Sequence, residues 1–157
     1  MNLEIERKFL VDSSSLPVDL NKFKNFLISQ GYLAADAGSE IRIRKKGRAC
    51  FLTVKQGAGL QRKEKEIRLK RQNFDKLWPL TEGRRIEKRR YEIPCGDLCI
   101  ELDVYLGRLQ GLVTAEVEFS SMDEGRGFQP PKWFGPEVTE AEEYKNKNLA
   151  LHGIPER

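Results

Sequence analysis

The feature that most constrains this chain is a period-two alternation in which charged residues take one phase and apolar residues the other, segment after segment. Side chains two apart on a strand share a face, so each segment can form a strand with one charged and one apolar side. Alternation runs through Leu3 to Val11, Glu40 to Lys45, Phe51 to Gln56, Arg62 to Lys70, Arg84 to Ile93, Leu98 to Leu106 and Val113 to Ser120. Turn residues separate these runs: Lys46-Gly47, Gly57-Ala58-Gly59, Pro94-Cys95-Gly96-Asp97 and the stretch from Gly107 to Gly111. Links this short join antiparallel neighbours.

Helical spacing is rarer. Asp19 to Ser29 brings Leu20, Phe23, Phe26 and Leu27 to one helical face, and Phe74 to Leu80 is a shorter helix interrupted by Pro79. Thr139 and Glu142 have capping-box spacing ahead of a run to Leu151 that stops at Gly153. Asp123 to Pro136, rich in Gly and Pro, reads as irregular. The expected fold is mainly β with helices packed outside, an α+β arrangement. A length of 157 residues fits a single domain, residues 1–157. Although only 39% of residues are hydrophobic and 33% are charged, the ordered alternation argues against disorder.

The charge balance excludes several functions. A net charge of +4, from 28 basic and 24 acidic residues, is too mild to mark a nucleic-acid protein. No apolar run is long enough to span a bilayer, and Met1 to Arg7 carries acids where a signal peptide would carry bases, so a cytoplasmic protein without a membrane partner is expected. The three cysteines, Cys50, Cys95 and Cys99, form no C-x-x-C pair and suit a reducing compartment as small apolar fillers. The single histidine, His152, rules out a histidine-rich metal site.

The phase of the charges carries the functional reading. Glu4, Glu6 and Lys8 oppose Leu3, Ile5 and Phe9, with Arg7 breaking the apolar side; Arg42 and Arg44 oppose Ile41 and Ile43. Lys55 opposes Leu52 and Val54, while Arg62, Glu64 and Glu66 are out of phase with Ile67 and Leu69. Lys88 and Arg90 oppose Tyr91 and Ile93, Glu101 and Asp103 oppose Leu102 and Val104, and Glu116 and Glu118 oppose Ala115, Val117 and Phe119. A half-buried sheet with a solvated outer face gives the same alternation. A solubilising surface usually mixes its signs, however, and here acids gather on some strands and bases on others.

If the sheet closes into a barrel, the apolar phase becomes the outer, helix-covered layer and the charged phase lines the lumen. Lys8, Arg42, Arg44, Lys55, Arg62, Lys88 and Arg90 would then hold phosphate oxygens. Carboxylates beside a phosphate need an intervening cation, which makes Glu4, Glu6, Glu64, Glu66, Asp103, Glu116 and Glu118 candidate ligands for Mg²⁺ or Mn²⁺.

The sequential set of motifs resembles the CYTH superfamily, also called triphosphate tunnel metalloenzymes. E-x-E-x-K at Glu4, Glu6 and Lys8 is followed in order by R-x-R at Arg42 and Arg44, T-V-K ending at Lys55, R-x-E-x-E from Arg62 to Glu66 and K-x-R at Lys88 and Arg90. E-L-D from Glu101 to Asp103, E-V-E from Glu116 to Glu118 and W-F-G-P-E-V-T from Trp133 complete the series. The resemblance implies a closed eight-stranded antiparallel tunnel, dependence on Mg²⁺ or Mn²⁺ and a small-molecule triphosphate substrate. It implies further that Glu4 and Glu6 are catalytic, positioning the attacking water. The eighth strand would come from Glu137 to Thr139, and Tyr144 and Lys145 either cap the tunnel mouth or serve helix packing and solvation.

The expected reaction is hydrolysis of inorganic tripolyphosphate to pyrophosphate and phosphate. Adenylate cyclase and thiamine triphosphatase activities are the alternatives within the family, and a non-enzymatic polyphosphate or RNA binder is the alternative of another class. The paired carboxylates argue against that binder, and a homodimer stays open.

Overall fold

Every segment of alternating polarity becomes a strand. The computed structural model describes residues 5–16, 19–36, 38–57 and 63–156. Among these, β1 is Ile5–Leu10, β2 Lys24–Ala35, β3 Ser39–Lys46, β4 Ala49–Gln56, β5 Lys63–Leu69, β6 Arg85–Cys95, β7 Leu98–Tyr105 and β8 Val113–Phe119. The helices are short: α1 at Arg71–Leu77, α2 at Met122–Gly127 and α3 at Asn146–His152. No helix among the described residues is long and apolar enough to cross a membrane.

Several expectations fail, each for a tertiary reason. The helix predicted from Asp19 to Ser29 is instead a 3₁₀ turn at Leu20–Lys22 leading into β2. Ile28, Gln30 and Tyr32 take one face of β2 and are buried, and the strand pairs along β3 from Ile28 to Ala35. Helical spacing of four apolar residues yields to that ladder. The capping box fails because the Thr139 hydroxyl is engaged elsewhere, accepting from the Lys8 backbone N–H at 3.0 Å and donating to Glu137 at 2.6 Å. The last helix starts later, at Asn146, and stops at Gly153, whose φ of 84° favours glycine. The stretch from Asp123, expected to be irregular, instead begins inside α2, which Ser121 caps by accepting from the Glu124 N–H.

Closure is likewise not seen: among the described residues the eight strands lie in the order β1-β8-β7-β6-β2-β3-β4-β5, and no ladder joins β5 to β1. Among the described residues β1 pairs as a strand only with β8, and β5 only with β4. The outer edge of β1 is already taken. Gly135 donates to the Leu10 carbonyl (2.7 Å), Leu10 donates to the Pro136 carbonyl (2.9 Å) and Val138 donates to the Lys8 carbonyl (2.8 Å). The expected eighth strand at Glu137 to Thr139 is thus only an isolated bridge from Glu137 to Phe9, and β2 supplies the eighth strand. At the other end, β5 is exposed from Lys63 to Arg68, with Ile67 58% exposed, and of its apolar residues Leu69 alone packs on a core.

The chain forms two compact units, Leu27–Glu87 with Glu143–Arg157, and Asn2–Phe26 with Lys88–Glu142. In the first, Ile43, Cys50 and Phe74 form a small core under α1, with Leu33, Leu52, Leu69, Leu77 and Trp78 against it. In the second, Phe9, Leu102, Ala115, Val117 and Phe119 belong to a larger core, covered by Leu16, Leu20, Phe23, Phe128, Trp133 and Phe134. Arg7, on this apolar side, is accommodated by a two-pronged ion pair with Glu137 (2.7 and 3.0 Å) and lies over the Phe9 ring at 5.2 Å.

Candidate active site

Each unit presents one charged face, and the ladder registers fix what stands beside what. In the second unit one row crosses four strands: Glu92 on β6 faces Glu101 on β7, Glu101 faces Glu116 on β8, and Glu116 faces Lys8 on β1. Glu6 faces Glu118 in the neighbouring row, and Arg90 faces Asp103 in another. Like charges directly opposite each other destabilise a sheet, so this arrangement costs stability and needs a counter-charge.

Part of that counter-charge is internal. Arg90 grips Asp103 with two parallel bonds, Nε to Oδ1 at 2.8 Å and Nη2 to Oδ2 at 2.9 Å, and reaches Glu101 through Nη1 at 2.9 Å. Lys88 donates to the same Asp103 Oδ2 at 2.7 Å, and Lys88 and Asp103 are each 1% exposed. Burial alone would raise the Asp103 carboxyl, yet Lys88 and Arg90 pull it down to about 2. Burial also lowers Lys88 to about 8, against the opposing pull of Asp103. For Arg90 burial pulls downward too, but the hydrogen bond and charge of Asp103 outweigh it and the guanidinium ends above its ordinary value.

The carboxylates outside this triad behave differently. Burial pushes Glu116 up, but a hydrogen bond from the Glu6 carboxyl and the charges of Lys8 and Lys88 hold it below the usual range. Burial likewise lowers the Lys8 ammonium, with Glu116, Asp103 and Glu6 acting against it. Among the described residues no three His, Cys, Asp or Glu side chains are arranged to hold a metal ion.

In the first unit the registers again build rows. Tyr32 faces Arg42, Arg42 faces Thr53 and Thr53 faces Glu66; Gln30 faces Arg44; Glu40 faces Lys55 and Lys55 faces Glu64. Gln30 is fully buried, accepting from Arg44 Nε at 2.7 Å and donating to the Tyr32 hydroxyl at 2.8 Å. Thr53 donates to Glu66 at 3.0 Å. Among the described residues the Arg42 Nε, like that of Arg84, is buried without a hydrogen-bond partner, and Arg42 pairs with Glu40 at 4.0 Å. A buried donor left unmade is costly, and a bound anion would satisfy it.

Of the residues named from sequence, Glu6, Lys8, Lys88, Arg90, Asp103, Glu116 and Glu118 fall on the charged face of one unit. Arg42, Arg44, Lys55, Glu64 and Glu66 fall on that of the other. Glu4 and Arg62 lie outside the described residues. Asp103 is engaged on both oxygens by Lys88 and Arg90. Tyr144 is buried and Lys145 exposed at the start of α3. Sequence reasoning missed Gln30 and Tyr32, which lie just past the end of the expected helix at Ser29, and gave Glu92 and Glu40 no role, although their phase already aligned them with the charged faces.

The comparisons with known proteins agree with this geometry. The family model of the CYTH domain matches residues 2–150. An inorganic triphosphatase of Nitrosomonas europaea is 48% identical over 94% of this chain and 97% of its own. One of Acetivibrio thermocellus is 35% identical over 95% of this chain and 94% of its own. A crystal structure of an inorganic triphosphatase, 45% identical, matches with a TM-score of 0.78 over 99% of each chain. With strands of this order, charged rows of this composition and matches that run almost end to end, the chain belongs to the CYTH domain family.

Proposed function

We propose that the chain is a metal-dependent triphosphatase that hydrolyses inorganic tripolyphosphate to pyrophosphate and phosphate. The observation that carries the reading is the row Glu92, Glu101, Glu116 and Lys8, with Glu6 and Glu118 beside it. Such a row is costly in an empty sheet and is neutralised by a divalent cation bound with a polyanion. The names of the relatives support the same reaction.

The donor set fits a hard ion, since Glu6, Glu116 and Glu118 offer carboxylate oxygens from two paired strands. Glu6, Glu116 and Glu118, with Glu4, would hold Mg²⁺ or Mn²⁺, and Glu64 and Glu66 are further candidates. When bound, the ion would supply charge neutralisation and a water of lowered pKa. The remaining work falls to the side chains. Arg42, Arg44 and Lys55 bind non-bridging phosphate oxygens, Arg42 through the donor that lacks a protein partner. Lys8, Lys88 and Arg90 bring positive charge to the carboxylate rows, and Arg62 is a further phosphate ligand. Glu4 and Glu6 orient the attacking water. Asp103 holds Lys88 and Arg90 in place.

Phosphate release from tripolyphosphate, ATP and thiamine triphosphate, with Mg²⁺, Mn²⁺ or EDTA, tests the proposal. The expected result is turnover of tripolyphosphate above the other two, abolished by EDTA. Failure to turn over any of the three with metal would leave a binding module as the better account.

A further inference from the structure

The motif from Trp133 to Thr139 is the one sequence signature that the charged rows leave unused. Its residues are spent on β1. Phe134 packs on Phe9 at 4.8 Å between ring centroids, and Gly135 comes so close that a Cβ there would lie 2.7 Å from the Leu10 carbonyl oxygen. Pro136, which has no N–H to donate, accepts from Leu10 and leaves no donor for another strand.

Beyond Pro136 the contacts form a ring. Thr139 Oγ1 accepts from the Lys8 N–H at 3.0 Å and donates to Glu137 at 2.6 Å. Glu137 is gripped by Arg7 at 2.7 and 3.0 Å, and Arg7 is itself anchored on the Gly125 and Phe128 carbonyls at 2.9 and 3.2 Å. The ring therefore begins at Arg7 and returns to the peptide unit that joins Arg7 to Lys8. Val138 closes the other side of Lys8 by donating to its carbonyl at 2.8 Å. A backbone carbonyl would satisfy the Lys8 N–H as well. Here the acceptor is a hydroxyl whose orientation is set by a charge-assisted pair, so the peptide plane is held against rotation as well as displacement.

We propose that Arg7, Glu137 and Thr139 are positioning residues that fix the backbone of Lys8, and through it the direction of the Lys8 ammonium beside Glu116. The proposal rests on the reading of the charged face as a triphosphate site. None of the three residues touches substrate. Their effect passes through Lys8, so it disappears when the Lys8 charge is removed.

Steady-state kinetics on tripolyphosphate with Mg²⁺, together with melting temperature, tests this. Thr139→Val removes the hydroxyl and keeps the shape; kcat/KM is expected to fall on the order of ten-fold, the scale of a small misplacement at a reacting centre. Thr139→Ser restores it. In a Lys8→Met background, Thr139→Val is expected to add no further loss. If Thr139→Val does not fold, Glu137→Gln, which keeps an acceptor for Arg7, carries the same expectation. A folded variant with unchanged kcat/KM, or an equal loss with and without the Lys8 charge, overturns the positioning role while the triphosphatase reading stands. A wild type inactive on tripolyphosphate overturns both.

Discussion

Arg42 and Asp103 show two opposite ways of keeping charge inside a sheet. Arg42 is half-buried, its Nε has no hydrogen-bond partner among the described residues, and its ion pair with Glu40 is a long 4.0 Å. Arg42→Ala is therefore expected to weaken tripolyphosphate binding by about 1.5–3 kcal/mol, the worth of a hydrogen bond to a charged group, while leaving the melting temperature nearly unchanged. Titration calorimetry and thermal melts check the two halves. Asp103 is fully compensated by Lys88 and Arg90. Asp103→Asn strands two buried cations and is expected to destabilise by about 3–5 kcal/mol in urea denaturation. The pH dependence follows from the same contacts. Because the Asp103 carboxyl is held at about 2, below its free value of 3.8, its stabilisation is present above the free value and lost as pH falls through the folded one. Lys88 runs the other way. Its folded pKa of about 8 lies below the free 10.5, so the unfolded chain binds more protons between them and this group's contribution to stability rises across that window. Above pH 8, KM for tripolyphosphate is expected to rise without a Lys88-linked fall in melting temperature. A KM that stays flat from pH 7 to 10 would remove Lys88 from substrate binding.

At the scale of elements, the alternation of polarity was enough to place seven strands and to assign their charged phase. It failed where a residue's reason lies far away in sequence. β2 carries Gln30 and Gly31 in the middle of its pattern, and Gln30 is buried only because it serves Arg44 on the next strand. No local signal encodes that. Thr139 looked like a helix cap, but its partner is Lys8, 131 residues earlier. Closure into a barrel was expected from the sorting of charge by phase and from the family resemblance, whereas the edge of β1 is hydrogen-bonded by Gly135 to Val138. The close approach at Gly135 gives an element-scale test. Gly135→Ala must push the strap off the Leu10 carbonyl, and is expected to cost about 1–3 kcal/mol, the usual penalty for overpacking. Chemical denaturation of the variant against wild type checks it, and an unchanged midpoint would show that the strap contributes little.

At the scale of the whole molecule, the sorting of polarity puts the apolar phase into two cores and the charge into rows that a bare sheet has no use for. The sequence exposed this sorting, because phase is a local property. It did not expose which charges are gripped by an opposite one, as Asp103 and Glu101 are by Arg90, and which face a like charge in register, as Glu6 faces Glu118. That division is set by register. The proposed function makes one claim of these rows, that their carboxylates work on a metal-bound triphosphate. The most direct measurement is the rate of phosphate release from tripolyphosphate by Glu6→Gln, with Mg²⁺ present and the fold verified by its melting temperature. The account predicts a variant as stable as wild type whose turnover is abolished; a folded Glu6→Gln that releases phosphate at the wild-type rate would contradict it.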